Sequence, residues 1–233
     1  MVRTAGHTWD ARVPWAALLL SVYPTIRLSV QSLDPLPILD HATAAFDSVQ
    51  TLAASFVQVI TNPLVGAPDT TRGMLFQRRP SGFEMRFTTP RGDRIVADGR
   101  HLWLYTPSTT PGQVIRTAIP AAGTAGPITG PNLIGQFVDH ARERYQARYV
   151  RADTLGPDGL ADVIALVPKK SGLPYQSAVI WVARSDALVR HLEITESSGQ
   201  LRVVMLRRLV VNGAVPDREF RFAVPRGVQV VDQ

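Results

Sequence analysis

The feature that most constrains this chain is a change in hydrophobic period. From Pro37 to Ser55 the apolar positions Ile38, Ala42, Phe46, Val49, Leu52 and Phe56 recur at steps of three and four. That spacing predicts one amphipathic helix, with Pro35 and Pro37 suited to its entry. Beyond it the period falls to two. Segments 73–78, 82–88, 93–97 and 101–106 are short and rich in β-branched or aromatic residues. Turn chemistry separates them: Arg-Pro-Ser-Gly at 79–82, Thr-Pro-Arg-Gly at 89–92 and Asp-Gly at 98–99. A second series is expected over 144–152, 161–167, 175–183, 189–196, 201–211 and 218–222. Hairpin spacing throughout predicts a mostly antiparallel meander.

Between the two series, Pro107–Ala125 reads as a loop holding at most one strand. It leads to a second helix candidate, Pro131–Asp139, interrupted by Gly135. A sheet this long must curl to bury its inner face, and two amphipathic helices are available to cover the opening. The expected fold is mainly β with helices (α+β): an unclosed antiparallel β-barrel of about 11 strands under a helical lid. Glycine (17) and proline (18) together make about 15% of the 233 residues, which suits many turns.

Along the strands, Phe83, Met85 and Phe87 alternate onto one face, with Glu84 and Arg86 on the other. Leu102 and Leu104 share a face, with Trp103 and Tyr105 opposite. Ordinary core packing and an apolar ligand cavity both fit these positions, because one sheet and two helices leave Trp, Met and Phe in excess of a thin core.

Catalytic chemistry finds little support. The chain has no cysteine, so it lacks disulfides, thiol nucleophiles and a lipid anchor on cysteine. His7, His41, His101, His140 and His191 show no metal-binding spacing, and G-x-S-x-G, P-loop and G-x-G-x-x-G motifs are missing. His101 beside Trp103 and Tyr105 reads as a half-exposed strand histidine. Asp93, Asp98, Glu84 and Glu193 are placed in turns or on charged strand faces. No cofactor and no metal are expected. The net charge is +6, and only Lys169 and Lys170 among the 25 basic residues are not arginine. Codon bias or an acidic partner would each account for that. A nucleic-acid platform is disfavoured because Glu84 sits inside the run Gly82–Phe87, which lacks a basic-aromatic signature.

Residues 1–32 carry Arg3, Arg12 and Arg27 around an apolar stretch from Val13 to Tyr23, with small residues near Ser32. This arrangement predicts a secretory signal over 1–32 and a mature domain over 33–233. At 11 residues, the apolar stretch is too short to span a bilayer.

One order of motifs then stands out: the first helix, Ala54-Ser-Phe-Val-Gln58, Gln77-Arg-Arg-Pro80 and Asp98-Gly-Arg-His-Leu-Trp-Leu-Tyr-Thr-Pro107. Asn212-Gly-Ala-Val215, Glu219-Phe-Arg-Phe222 and Pro225-Arg-Gly-Val228 follow. In this order and spacing the chain, from about Leu36 to Gln233, resembles the outer-membrane lipoprotein carrier (LolA) family. The resemblance implies a periplasmic chaperone that takes triacylated lipoproteins from an inner-membrane ABC transporter and hands them to an outer-membrane receptor. It places the lid-holding arginine on Arg79 and its partner on Phe46. Bulky cavity residues fall on Phe83 and Met85, and the lid on Leu133, Ile134 and Phe137. With Phe87 and Trp103 added, these residues form the expected acyl-chain cavity.

The receptor of that pathway shares the fold but carries a lipidated cysteine and a protruding apolar loop. This chain has no cysteine, and its turn at Thr88–Arg94 is polar, which favours the carrier. A monomer is expected. Two other readings stay open: a periplasmic lipid-binding or lipoprotein-sensing module of the same fold, and a lipid-acting hydrolase. The second is disfavoured by the missing nucleophile motif. Without the resemblance, Arg79 would be read as capping a turn beside Pro80.

Overall fold

A computed structural model of the protein describes residues 33–119 and 133–233. The expected secretory signal and the centre of the long loop fall outside the described residues.

The first helix, α1 (Leu36–Asp47), buries Leu39, Ala42 and Phe46 at steps of three and four. Asp34 Oδ1 accepts from the Leu36 amide at its start. It ends eight residues earlier than its apolar spacing predicts. Leu52 and Phe56 belong instead to β1 (Thr51–Thr61), where every second residue from Leu52 to Gln58 is buried. The spacing of Leu52 and Phe56 fits both periods, and the alternation with Ala54 decides for the strand.

Eleven further strands follow. They are β2 (Pro68–Arg78), β3 (Gly82–Thr89), β4 (Arg91–Asp98), β5 (His101–Tyr105), β6 (Gln113–Ala118), β7 (Tyr145–Thr154), β8 (Leu160–Pro168), β9 (Tyr175–Ala183), β10 (Val189–Glu196), β11 (Leu201–Val211) and β12 (Gln229–Asp232). Two short helices, α2 (Gly135–Val138) and α3 (Ala141–Arg144), precede β7. Gly135 begins α2 rather than interrupting a longer helix.

All twelve strands form one sheet in the order β12-β6-β5-β4-β3-β2-β1-β11-β10-β9-β8-β7. Two meanders meet where β1 pairs with β11, Phe56 lying opposite Leu206. The edge strands β12 and β7 do not pair with each other, so the sheet is unclosed. Every pairing is antiparallel except β12 with β6. The count is twelve, and the last strand is not the expected one. Residues 218–222 form no strand; Asp217–Phe220 makes a 3-10 turn.

The inner face collects Leu52, Ala54, Phe56, Leu75, Phe83, Met85, Ile164, Ile180, Leu192 and Val204 into one apolar cluster with α1 and α2. Glycine is required at one close approach: a Cβ on Gly73 would lie 2.0 Å from the Arg86 carbonyl oxygen. The outer face of β4–β6 carries a separate cluster of Val96, Trp103 and Val114, covered by Phe222, Val228 and Val230 of the C-terminal segment.

Candidate functional site

The interior of the half-barrel is occupied by protein. Leu133, Ile134, Phe137 and Val138 are all at most 3% exposed and pack in the same cluster as Phe83 and Met85, each fully buried. Phe46 of α1 and Phe87 of β3 join them, Phe87 meeting Phe56 edge-on at 5.3 Å. Six of the seven residues expected at the cavity are thus gathered, with Phe46, in a packed apolar plug.

Polar contacts hold the plug at identifiable points. Tyr145 donates its hydroxyl to the Gln136 carbonyl at 2.5 Å and lies 2.6 Å from the Tyr175 hydroxyl. Burial, then the Tyr175 contact, push the Tyr145 hydroxyl well above the ordinary tyrosine range, so it stays neutral. Thr43 of α1 donates to the Val138 carbonyl at 2.6 Å. Arg142 of α3 makes a bidentate pair with Asp40 of α1, at 2.9 and 2.6 Å.

Arg79 sits at the other end of α1. Its Nε donates to the Val49 carbonyl and its Nη2 to the Phe46 carbonyl, both at 2.9 Å. The guanidinium carbon lies 5.0 Å from the centre of the Phe46 ring, and Asp47 Oδ1 is 3.4 Å from Nη2. One side chain therefore satisfies two carbonyls at the helix exit, where backbone acceptors have no partner within the helix. Arg79 also lines a cleft of about 790 Å³ between α1 and the α2–α3 segment, with the charged residues Asp40, Asp47, Asp139 and Arg144. Burial, and then repulsion from Asp47, raise the Asp139 carboxyl against the opposing pull of Arg79.

Trp103, expected among the cavity residues, lies on the opposite face of the sheet. It stacks on Phe222 at 5.3 Å, and its indole donates to Asp98 Oδ2 at 2.8 Å. Strand alternation accounts for this: Leu102 takes the inner side, so its neighbour must face out.

One cluster escapes the sequence. Glu84 is not on an exposed face; it is fully buried beneath the C-terminal segment. Arg94 donates to its Oε1 from Nε and Nη2 at 2.9 and 2.7 Å, and Arg86 bridges it to Glu219. Burial pushes the Glu84 carboxyl up to about 7, reinforced by its hydrogen bond with Glu219 and opposed by both arginines. The covering residues lie more than 130 positions away in sequence, and no local pattern announces them.

An unclosed sheet wrapped around an apolar plug defines a half-barrel closed by a helical segment. Comparison with known proteins narrows this. Residues 47–223 match the family model for the outer membrane lipoprotein carrier protein LolA, and the chain belongs to that family. The outer-membrane lipoprotein carrier protein of Albidiferax ferrireducens is 34% identical over 191 residues, 80% of this chain and 86% of its own. That of Chromobacterium violaceum is 31% identical over 185 residues, 78% of this chain and 81% of its own. An uncharacterized conserved protein from Thermus thermophilus superposes with a TM-score of 0.51 at 11% identity, over 85% of this chain and 98% of its own. That last likeness is one of fold alone.

Proposed function

We propose that this chain carries acylated lipoproteins across the periplasm by exchanging the Leu133–Val138 plug for the acyl chains of its client. It receives them from an inner-membrane ABC transporter and passes them to an outer-membrane receptor. Residues 1–32 direct export and are removed, leaving 33–233 as the working domain. The protein acts by binding, without chemistry of its own.

The carrying observation is the plug itself: four large apolar side chains, buried in the half-barrel and reachable only if their own segment moves. Burying a side chain of this size contributes about 1.5–3 kcal/mol, so withdrawing four costs about 6–12 kcal/mol. Each methylene of an incoming chain recovers about 0.8 kcal/mol, so about 8–15 buried methylenes balance the exchange. One chain of that length balances the exchange, and full burial of three would favour retention, which would block delivery. Arg79 serves as the latch of the empty state, tying the exit of α1 to the β2–β3 turn.

The test is retention and transfer. Mass spectrometry of protein recovered from the periplasm should find acylated peptides, and a fluorescent acyl probe should compete with them. Recovery of the protein with an intact Met1 in the cytoplasm, free of acylated peptides, would overturn the reading.

A further inference from the structure

A second cleft lies away from the plug, bounded by the β7–β8 turn (154–158) and by β10 and β11. Its volume is about 540 Å³, and Arg190, Arg207 and Arg208 all line it. Arg190 falls at an irregularity of β10, where Val189 pairs with Val182 and His191 already with Trp181. Its side chain is only 8% exposed, and its one ionic partner among the described residues is Asp186, 2.5 Å from Nη2. Nε and Nη1 are buried with no hydrogen-bond partner among the described residues. A buried guanidinium with two nitrogens unpaired is costly, and native structures rarely leave such donors without a purpose.

The other two arginines add charge without neutralising partners. Arg207 and Arg208 are exposed, and no ion pair among the described residues involves either. Arg208 has φ of 51°, a left-handed conformation at the irregularity of β11 between the pairings with Ala53 and Ser55. His191 stacks on Trp181 at 4.0 Å, and burial holds its imidazole below the ordinary range, so it adds no charge at neutral pH. The carboxylates near the cleft are Asp158 on the lip, Asp186 against Arg190, Glu193 at 3.5 Å from His191 Nε2, and Asp153, whose charge acts on the same imidazole.

We infer that this cleft binds a phosphate group, held by Arg190, Arg207 and Arg208. A carboxylate can accept from more than one guanidinium, as Glu84 does from Arg94 and Arg86, but it brings a single charge with its acceptors in one plane. The several oxygens of a phosphate can engage all three. The β7–β8 turn lines the cleft together with Arg190, and it contains Gly156 at φ of 63° and ends at Gly159 at φ of 80°, each with open space where a Cβ would stand. The site is separate from the acyl interior and does not depend on the carrier reading.

Isothermal titration calorimetry on the full-length protein tests this, at constant ionic strength set with chloride. Inorganic phosphate represents the free ion, and glycerophosphoglycerol represents a lipid headgroup stripped of its chains. Saturable binding of either is expected; a preference for the second identifies a lipid headgroup as the source. The paired exposed substitutions Arg207→Ser and Arg208→Ser should weaken binding at least tenfold with thermal unfolding unchanged. Arg190→Gln should abolish it. No saturable heat with either probe, or unaltered binding in the Arg207→Ser/Arg208→Ser variant, would overturn the inference.

Discussion

The Arg79 guanidinium donates to the Phe46 carbonyl at 2.9 Å while lying 5.0 Å over the ring of the same residue. A single side chain thus grips both the backbone and the side chain at the last turn of α1. Arg79→Leu removes two charge-assisted hydrogen bonds, each contributing about 1.5–3 kcal/mol when shielded and less here because the side chain is one-third exposed. The closed, empty state should bear most of that loss. Acyl-probe affinity is therefore expected to hold or rise up to about tenfold, with slower transfer to an acceptor. Arg79→Lys should fall between, keeping charge but not the fork. A marked weakening of probe binding in Arg79→Leu would mean that Arg79 supports the open cavity instead.

Tyr145→Phe loosens the plug from its other side. The change strips the Gln136 carbonyl of its donor and leaves the Tyr175 hydroxyl, 2.6 Å away, without its partner. Each buried group left unpaired costs about 1–3 kcal/mol. The midpoint of urea unfolding should drop, and acyl-probe binding should become faster as the closed state is weakened. Because the Tyr145 hydroxyl is already held neutral by burial, neither effect should vary between about pH 6 and pH 9.

Trp103→Ala separates stability from binding. The indole is 8% exposed, stacked on Phe222 and bonded to Asp98. Truncation of a buried tryptophan costs about 3–5 kcal/mol. Because the residue faces away from the plug, acyl-probe affinity per folded molecule should stay within about twofold of the parent. That comparison is read from a probe titration on protein shown to be folded by circular dichroism. A large loss of affinity would connect the outer cluster to the interior.

These cases show how far the sequence is legible. The period-two face of Phe83, Met85 and Phe87 leads directly to the inner wall, because alternation along a strand is local. The antiparallel meander follows from turn spacing, and its incomplete curl from the length of the sheet and the helices available to cover the opening. The reach of α1 is overread because Leu52 and Phe56 satisfy a helical and a strand period together, and only Ala54 and Gln58 break the tie. The grip of Arg79 on Phe46 is expected from family resemblance, since nothing in the spacing of two residues 33 apart announces it. The outward direction of Trp103 is legible from strand alternation, but its burial, like that of Glu84, is hidden because the cover is a segment near the other end of the chain. Its final strand pairs parallel to β6, against the hairpin pattern of the rest. The unpaired nitrogens of Arg190 depend on a strand irregularity, which a hydrophobic pattern does not encode.

The buried carboxylates give the last prediction, a pH dependence of stability. Burial raises Glu84 to about 7, above its unfolded value near 4.5, so the folded state holds a proton that the unfolded state has released. A carboxyl raised in this way stabilises fully below about pH 4.5, and its contribution fades as pH rises toward 7. Glu219 moves the opposite way: burial alone would raise it, but its bond with Glu84 and the charge of Arg86 hold it low, so it favours folding above its unfolded range and not in acid. Between about pH 5 and 7.5 the Glu84 effect should dominate, with stability declining by on the order of 2–3 kcal/mol. Glu84→Gln keeps the shape, removes the titration and should flatten that decline, as measured by urea unfolding at half-unit pH steps. Phe222 and Phe220 anchor the same covering segment, so its detachment should begin at the alkaline end of this range. If the parent and Glu84→Gln curves run parallel across it, Arg86 and Arg94 keep Glu84 ionised throughout, and the cluster is a fixed ion network rather than a proton-sharing one.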